Sequence, residues 1–185
     1  MPNHVTNKIT FIGNQEHINT ILNMIKGEKE WIDFNKIVPM PDDIYLGDLG
    51  PEERKLYGNR NWYDWRIVNW GTKWNAYNTI IDKENNTIEF DTAWSCPFEV
   101  LHHLAFMCWE YGVIFEGKWA DEDMGCNVGT FNTNDGFFYE NCVENDSCEA
   151  YEIYVEVKGE RECLYKNDNG NWQRYECETC PNKCY

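Results

Sequence analysis

The fold is decided by residues 87–119, which read TIEFDTAWSCPFEVLHHLAFMCWEYGVIFEGKW. The first of these residues are β-branched or aromatic in alternation, as in a half-buried strand. Pro97 and Glu99 are typical of a helix start. Apolar residues then recur at i, i+3, i+4 and i+7, and these are Leu101, Leu104, Ala105 and Cys108. Because Gly112 ends this helix and residues 113–119 resume a strand pattern, the stretch predicts a strand–helix–strand unit.

The N-terminal residues predict a matching unit. Residues 5–12 read as a strand, and Asn14 is a suitable N-cap for a helix with Ile18, Ile21, Leu22 and Ile25 on one face. We expect a short strand at 34–38 and an insertion at about 40–62, with a helical turn after Pro51. A hairpin of residues 73–81 and 87–94 follows. The order β-α-β-(insertion)-β-β-α-β predicts an α+β, ferredoxin-like sandwich in which two helices cover one face of an antiparallel sheet.

The C-terminal residues differ in character. Tyr151, Ile153, Val155 and Val157 alternate with polar residues, which predicts a strand with an acidic outer face. Residues 160–165 and 172–177 would complete a small antiparallel β-meander. We therefore predict a ferredoxin-like domain over 1–131 and an acidic, Cys-rich β extension over 132–185.

Four of the nine tryptophans lie close together, at Trp62, Trp65, Trp70 and Trp74. Their spacings of three, five and four residues fit neither a helix nor an alternating strand. Such a cluster either packs a core or forms a recognition surface. We favour the core for Trp70 and Trp74, which leaves Trp62 and Trp65 as candidates for contact.

Four ordered strings carry a family resemblance: residues 2–7 (PNHVTN), 34–41 (FNKIVPMP), 69–75 (NWGTKWN) and 90–95 (FDTAWS). Together they resemble the Api92-like, or YubB ferredoxin-like, family of phage and plasmid proteins over about residues 1–131. Cys96 departs from the pattern, which has proline there. The resemblance implies the ferredoxin-like fold and residence on a mobile element. It brings no activity that can be assigned to particular residues.

The net charge of −16 is unevenly distributed. Residues 1–90 hold 10 Lys/Arg and 13 Asp/Glu (net −3), whereas residues 91–185 hold 6 and 19 (net −13). Such a surface repels the phosphates of duplex DNA and suits a basic partner, or mimicry of the nucleic acid that this partner binds. Solubility alone is the alternative explanation. The predicted contact residues are Asp121, Glu122, Asp123, Glu144, Asp146, Glu149, Glu152 and Glu156.

Two functions are compatible with these features. The first is a non-enzymatic inhibitor from a mobile element, which binds a host defence nuclease such as a CRISPR effector through the acidic surface. The second is a small module that holds a nucleotide or single-stranded nucleic acid on a Trp-lined surface flanked by Arg60, Arg66 and Lys73. An enzyme is disfavoured, because His102 and His103 face no convergent catalytic set and Cys108 belongs to the apolar stripe.

The C-terminal cysteines are spaced C-x2-C-x3-C at Cys177, Cys180 and Cys184. With Cys163 they make a candidate structural zinc site, for which free thiols are the alternative. Apolar runs are short and the first residues lack the pattern of a secretory signal, so we expect a protein of the bacterial host cytoplasm that does not enter membranes.

Overall fold

The computed structural model describes residues 2–176 and Cys180. Its strands are β1 His4–Ile12, β2 Tyr77–Asp82, β3 Thr87–Ala93, β4 Ile114–Asp121, β5 Val128–Asn134, β6 Phe137–Cys142, β7 Leu164–Lys166 and β8 Trp172–Arg174. Its helices are α1 Gln15–Ile25, α2 Phe34–Ile37, α3 Pro51–Tyr57, α4 Trp62–Trp70, α5 Phe98–Glu110 and α6 Cys148–Lys158.

Six strands form one antiparallel sheet in the order β2-β3-β1-β4-β5-β6, and β7 pairs with β8. The first four strands, with α1 and α5, make the β-α-β-β-α-β arrangement of a ferredoxin-like sandwich. The predicted α+β, ferredoxin-like fold is therefore confirmed. The strands β5 and β6 extend its sheet beyond β4.

The main core lies between one face of the sheet and helices α1 and α5. Val5, Ile9 and Phe11 alternate along β1 and pack against apolar residues of both helices. The side chain of Asn14 accepts a hydrogen bond from the backbone of Glu16, so the predicted N-cap of α1 is confirmed. Because α1 and α5 cover this face of the sheet, other elements can pack only on the opposite face.

Two segments before β2 are helical, contrary to their sequence patterns. Residues 34–38, predicted as a strand, contain α2, whose N-terminus is capped by the carboxylate of Asp33. Three of the four irregularly spaced tryptophans lie in α4. This helix begins after Asn61, whose side chain accepts hydrogen bonds from the backbone N–H groups of Tyr63 and Asp64. In both cases the cap outweighs an ambiguous apolar pattern.

The prediction of a strand over residues 151–157 is wrong, because these residues form the second half of α6. The apolar positions fit both periods: Tyr151, Ile153, Val155 and Val157 alternate, while Ala150, Ile153, Tyr154 and Val157 follow a helical repeat. Ser147 decides between them, since its hydroxyl accepts a hydrogen bond from the backbone N–H of Ala150 at 3.1 Å.

The main sheet also continues past residue 131, which lies inside β5. The hairpin of β5 and β6 was not predicted from the sequence. Its two-residue turn, Asp135-Gly136, has φ values of 49° and 80°, the pair of positive angles that a type I′ hairpin turn requires. The β-meander of the prediction is reduced to the short pair β7–β8.

Candidate partner-binding surfaces

Helix α6 lies on the face of the sheet opposite α1 and α5. Its buried residues, Ala150, Tyr151, Ile153, Tyr154 and Val157, pack with Ala120 of β4 and Val128 of β5. Ala120 follows Trp119, which belongs to the main core, and neighbouring residues of a strand point to opposite faces. The helix therefore forms a second, smaller core and presents its other side to solvent.

The solvent side of α6 carries three predicted contact residues in one stripe. Glu149, Glu152 and Glu156 are exposed and spaced i, i+3, i+7, so they lie on the same face of the helix. Glu156 forms an ion pair with Lys118 of β4. We call these three glutamates the α6 acidic surface.

The β4–β5 loop, which carries Glu122 and Asp123, packs on the Tyr151 side of α6, about 100–160° around the helix from the glutamate stripe. The backbone N–H of Asp146 donates to the carbonyl of Gly125 at 2.9 Å, and the Tyr151 hydroxyl donates to the Asp146 carboxylate at 2.7 Å. A Cβ on Gly125 would come within 2.5 Å of the Tyr151 ring. The loop is thus held directly against the helix. The predicted contact residues Glu144 and Asp146 precede α6 and are not part of the helix.

Asp121 is not available for contact. Its side chain is 4% exposed, and its carboxylate accepts hydrogen bonds from Asn3 Nδ2, the Asp123 backbone and Asn127 Nδ2, at 2.9–3.1 Å. A buried carboxylate with three donors organises the loop that carries Glu122 and Asp123. The prediction of Asp121 as a partner-binding residue is corrected to a structural role.

The acidic stretch itself supplies no cation, and Lys118 beside it pairs with Glu156. Residues 119–157 contain ten Asp/Glu and no Lys or Arg. Lys158, at the end of α6, is partly buried and donates to the His4 carbonyl at 3.1 Å. Burial lowers the pKa of its ammonium group, while Asp91, Asp121 and Glu122 act in the opposite direction. The ammonium group of Lys158 is therefore already used within the protein.

The tryptophan cluster is mainly a scaffold. Trp70 is buried, and its indole N–H donates to the Val38 carbonyl at 3.0 Å. Trp65 packs edge-to-face on Trp70 and borders the main core. Trp62 is half-buried and donates to the Gly47 carbonyl. Both tryptophans that we proposed for contact are therefore engaged within the protein.

An exposed aromatic residue of this region was missed by the sequence reasoning. Trp94 follows β3 with φ +74°, a strained conformation for a bulky residue, and is 41% exposed. The ammonium group of Lys73 lies 5.3 Å from the Trp94 ring centroid, 5.0 Å from that of Trp74 and 6.0 Å from that of Tyr63. In an alternating strand, Trp94 would lie on the same face as the buried Phe90, so the pattern did not indicate that its side chain turns outward.

Two of the four predicted zinc ligands, Cys177 and Cys184, lie outside the described residues. Cys163 and Cys180 have their sulfur atoms 4.0 Å apart. Within residues 2–176 and Cys180, no group of three or more His, Cys, Asp or Glu side chains is arranged to hold a metal ion. Zinc binding by the tail stays a prediction.

The histidines of α5 make no catalytic pair with the helix cysteine. The His102 and Phe138 rings meet edge-to-face with centroids 4.9 Å apart, and Cys108 is buried in the main core. Burial raises the pKa of the Cys108 thiol to about 12, which keeps it protonated and unreactive. In the described part of the chain, no helix is both long and apolar enough to cross a membrane.

Comparison with known proteins identifies the family. The model described as "Ferredoxin-like domain in Api92-like protein" matches residues 70–164, which are 95 of the 185 residues. A matching solved structure is that of protein Api92 from Yersinia pseudotuberculosis, with 17% identity and a TM-score of 0.40. The match covers 60% of this chain and 40% of that one, so it spans less than half of that protein. No curated protein matches. The family match includes α6, beyond the range of the resemblance seen in the sequence, and the chain belongs to the Api92-like family.

Proposed function

We propose that this protein is a non-enzymatic inhibitor from a mobile element, which docks the α6 acidic surface on the basic, nucleic-acid-binding groove of a host defence nuclease such as a CRISPR effector. The observation that carries the proposal is the stripe of Glu149, Glu152 and Glu156 on the exposed side of α6, within a stretch of sequence free of Lys and Arg. Membership of a family known from phages and plasmids supports the choice of partner.

The spacing of the stripe supports mimicry of a nucleic acid strand. With a rise of about 1.5 Å per residue, the three carboxylates of α6 span about 10.5 Å, or one charge per roughly 5 Å. One strand of a duplex carries a phosphate every ~3.4 Å. The helix therefore presents roughly two-thirds of that linear charge density, counting Glu156, which pairs with Lys118.

The test measures inhibition of target cleavage by purified, guide-loaded CRISPR effectors. In the stripe variant, Glu149, Glu152 and Glu156 are replaced by Gln, and in the control variant Asp42→Asn is combined with Glu28→Gln and Glu84→Gln. Each variant removes three exposed charges, so only position differs. With about 0.2–1 kcal/mol for each exposed charge pair, the stripe variant should bind about 3- to 100-fold more weakly.

The control variant should stay within about twofold of the original protein, since its charges lie elsewhere. Affinity should also fall steeply as salt is raised to 0.5 M. Equal inhibition by both variants, or affinity that survives 1 M salt unchanged, would exclude electrostatic docking through α6. Failure to inhibit any effector of the panel would exclude the nuclease as the partner.

A second candidate rests on Trp94, the exposed aromatic ring beside Lys73 and Tyr63. Exposed rings next to a cation suit the stacking of a nucleotide or single-stranded nucleic acid. Titration with an oligothymidylate, followed by tryptophan fluorescence, tests it: quenching should be saturable and lost in Trp94→Ala. Unchanged quenching in that variant, or none at all, removes this candidate.

A further inference from the structure

The outer edge of β6 leaves backbone groups unpaired. In a two-residue hairpin, the residues that flank the turn, Asn134 and Phe137, form a hydrogen-bonded pair, and bonded pairs then alternate along the strands. The bond from Val143 N–H to the Val128 carbonyl fits this alternation. The N–H and C=O groups of Phe138, Glu140 and Cys142 therefore point away from β5. Within residues 2–176 and Cys180, they have no hydrogen-bond partner.

The opposite edge of the sheet, at β2, is protected. The Thr79 N–H donates to the Glu30 carboxylate, and the Trp31 N–H donates to the Thr79 hydroxyl. Asn78 has φ +53°, and the register of β2 on β3 shifts between Tyr77 and Ile80. A bulge and a covering loop are the usual means of blocking an edge strand. No such device covers β6 in the described part of the chain.

Helix α5 runs along β6 and exposes an apolar stripe beside its open edge. The His102 ring meets Phe138 edge-to-face, and the Trp109 ring lies against Gly136, so the helix and the strand run in opposite directions side by side. Phe106 lies between these two contacts, and its ring is tilted against that of Trp109 with centroids 5.7 Å apart. Phe106 and Trp109 are 54% and 52% exposed. The helix thus offers apolar surface above the place where a seventh strand would lie.

The charge around this edge indicates which kind of peptide segment can bind to it. Residues 84–117 and 119–157, which include all of α5 and β6, contain no Lys or Arg. Glu140 on β6, Asp135 in its turn and Glu110 at the end of α5 are acidic. On the other face of the sheet, the exposed rings of Phe137 and Tyr139 are suited to hold cations. A second copy of this chain would bring a net charge of −16 to the same place.

We propose that β6 is a docking site for strand addition by an extended peptide segment of a partner protein, in which apolar and basic residues alternate. The segment pairs antiparallel with β6. Its apolar side chains pack under His102, Phe106 and Trp109, and its basic side chains lie across Phe137 and Tyr139. This inference uses residues distinct from the α6 acidic surface and stands or falls independently of the proposed function.

The geometry predicts which backbone groups of the segment are used. In an antiparallel pair, a residue that bonds to Glu140 has its side chain on the same face as Glu140, which is the α5 face. The apolar residues of the segment therefore donate and accept the hydrogen bonds with β6. Its basic residues direct their N–H groups toward solvent.

The probe is an acetylated and amidated octapeptide of alternating lysine and valine, titrated into the intact protein by NMR. Binding should be saturable and should protect the amides of Phe138, Glu140 and Cys142 from hydrogen exchange. N-methylation of the valines should weaken binding about tenfold or more, because it removes the bonded N–H groups. N-methylation of the lysines should change it by less than about threefold.

Several outcomes would overturn the inference. These are absence of binding, equal binding of the peptide with glutamate in place of lysine, the reverse effect of the two N-methylation patterns, and protection elsewhere than on β6. A concentration-dependent dimer that protects the same amides and excludes the peptide would assign the edge to a second copy instead.

A protein variant tests the helix stripe separately. Phe106→Lys places a cation on the exposed face of α5 and should weaken the peptide about tenfold, while the melting temperature stays near its original value. Val68→Lys, on the exposed face of α4, is the matched control and should leave binding unchanged. Equal affinity in Phe106→Lys would show that α5 takes no part.

Discussion

Replacing Trp70 by phenylalanine tests whether the tryptophan cluster is a scaffold or a recognition surface. The ring is 1% exposed and ends α4. It contacts Phe34 and Trp65 edge-to-face, with centroids 5.8 and 5.7 Å away, and the Arg66 guanidinium lies 5.0 Å from its centroid. Its N–H donates to Val38. Phenylalanine keeps an aromatic ring but loses this donor and three ring atoms.

The expected cost follows from these contacts. An unpaired backbone carbonyl costs about 1–3 kcal/mol. Loss of buried ring atoms costs roughly 0.8 kcal/mol per CH₂-sized group, or about 2 kcal/mol here. We therefore expect Trp70→Phe to lower the free energy of unfolding by about 3–5 kcal/mol, a large share of the ~5–15 kcal/mol typical of a domain. For a chain of this length, that is a fall in melting temperature of about 6–20 °C.

Thermal denaturation followed by circular dichroism measures this change. Val68→Ala, two residues earlier on the exposed side of α4, is the control and should shift the melting temperature by less than about 2 °C. A fall of less than about 2 °C in Trp70→Phe would refute the scaffold interpretation. Loss of oligothymidylate binding without loss of stability would then assign Trp70 to recognition.

Three further perturbations test the surroundings of the proposed surface. Asp121→Ala removes the acceptor of three hydrogen bonds and should cost about 2–4 kcal/mol in chemical denaturation, whereas a cost below about 0.5 kcal/mol would contradict its structural role. Gly129→Ala places a Cβ 2.3 Å from the Trp119 ring and should cost about 1–3 kcal/mol, so an unchanged melting temperature would contradict the packing described. Burial raises the pKa values of Tyr77 and Tyr151 to about 12, above the ordinary value of about 10. The stability that these two tyrosines contribute is therefore present below pH ~10 and is lost as pH rises toward 12. Melting temperature should fall over that interval, and less steeply in Tyr77→Phe; identical slopes would be the contrary result.

The fold was predictable where the apolar period and the end signals agree. In α1 and α5 a helical stripe lies between a start signal and a glycine, and in β1 and β3 alternation is clear. The order of these elements was enough to predict the ferredoxin-like sandwich. The sequence patterns failed at α2 and α4, where few apolar positions are available and a single capping side chain determines the conformation.

The candidate surface was predictable in composition and not in geometry. Charge counting indicated the acidic half, but it could not separate the buried Asp121 from the exposed Glu122, because burial depends on donors from Asn3 and Asn127, far apart in sequence. The strand predicted at 151–157 would have placed Glu152 and Glu156 on one face without Glu149. Only a helix brings all three into one stripe.

On α6, the residues that pack on the sheet are different from those that carry the charge, so the charge can be removed without disturbing the fold. The positions that pack on the sheet, Ala150, Tyr154 and Val157, differ from those that carry the glutamates. Glutamine is about as good a helix former as glutamate, so neutralising the stripe leaves both packing and helix propensity nearly unchanged. The ion pair of Glu156 with Lys118 is exposed and contributes at most about 1 kcal/mol. A stripe variant that loses inhibition while it melts within a few degrees of the original protein would therefore identify the loss of charge, and not of structure, as the cause.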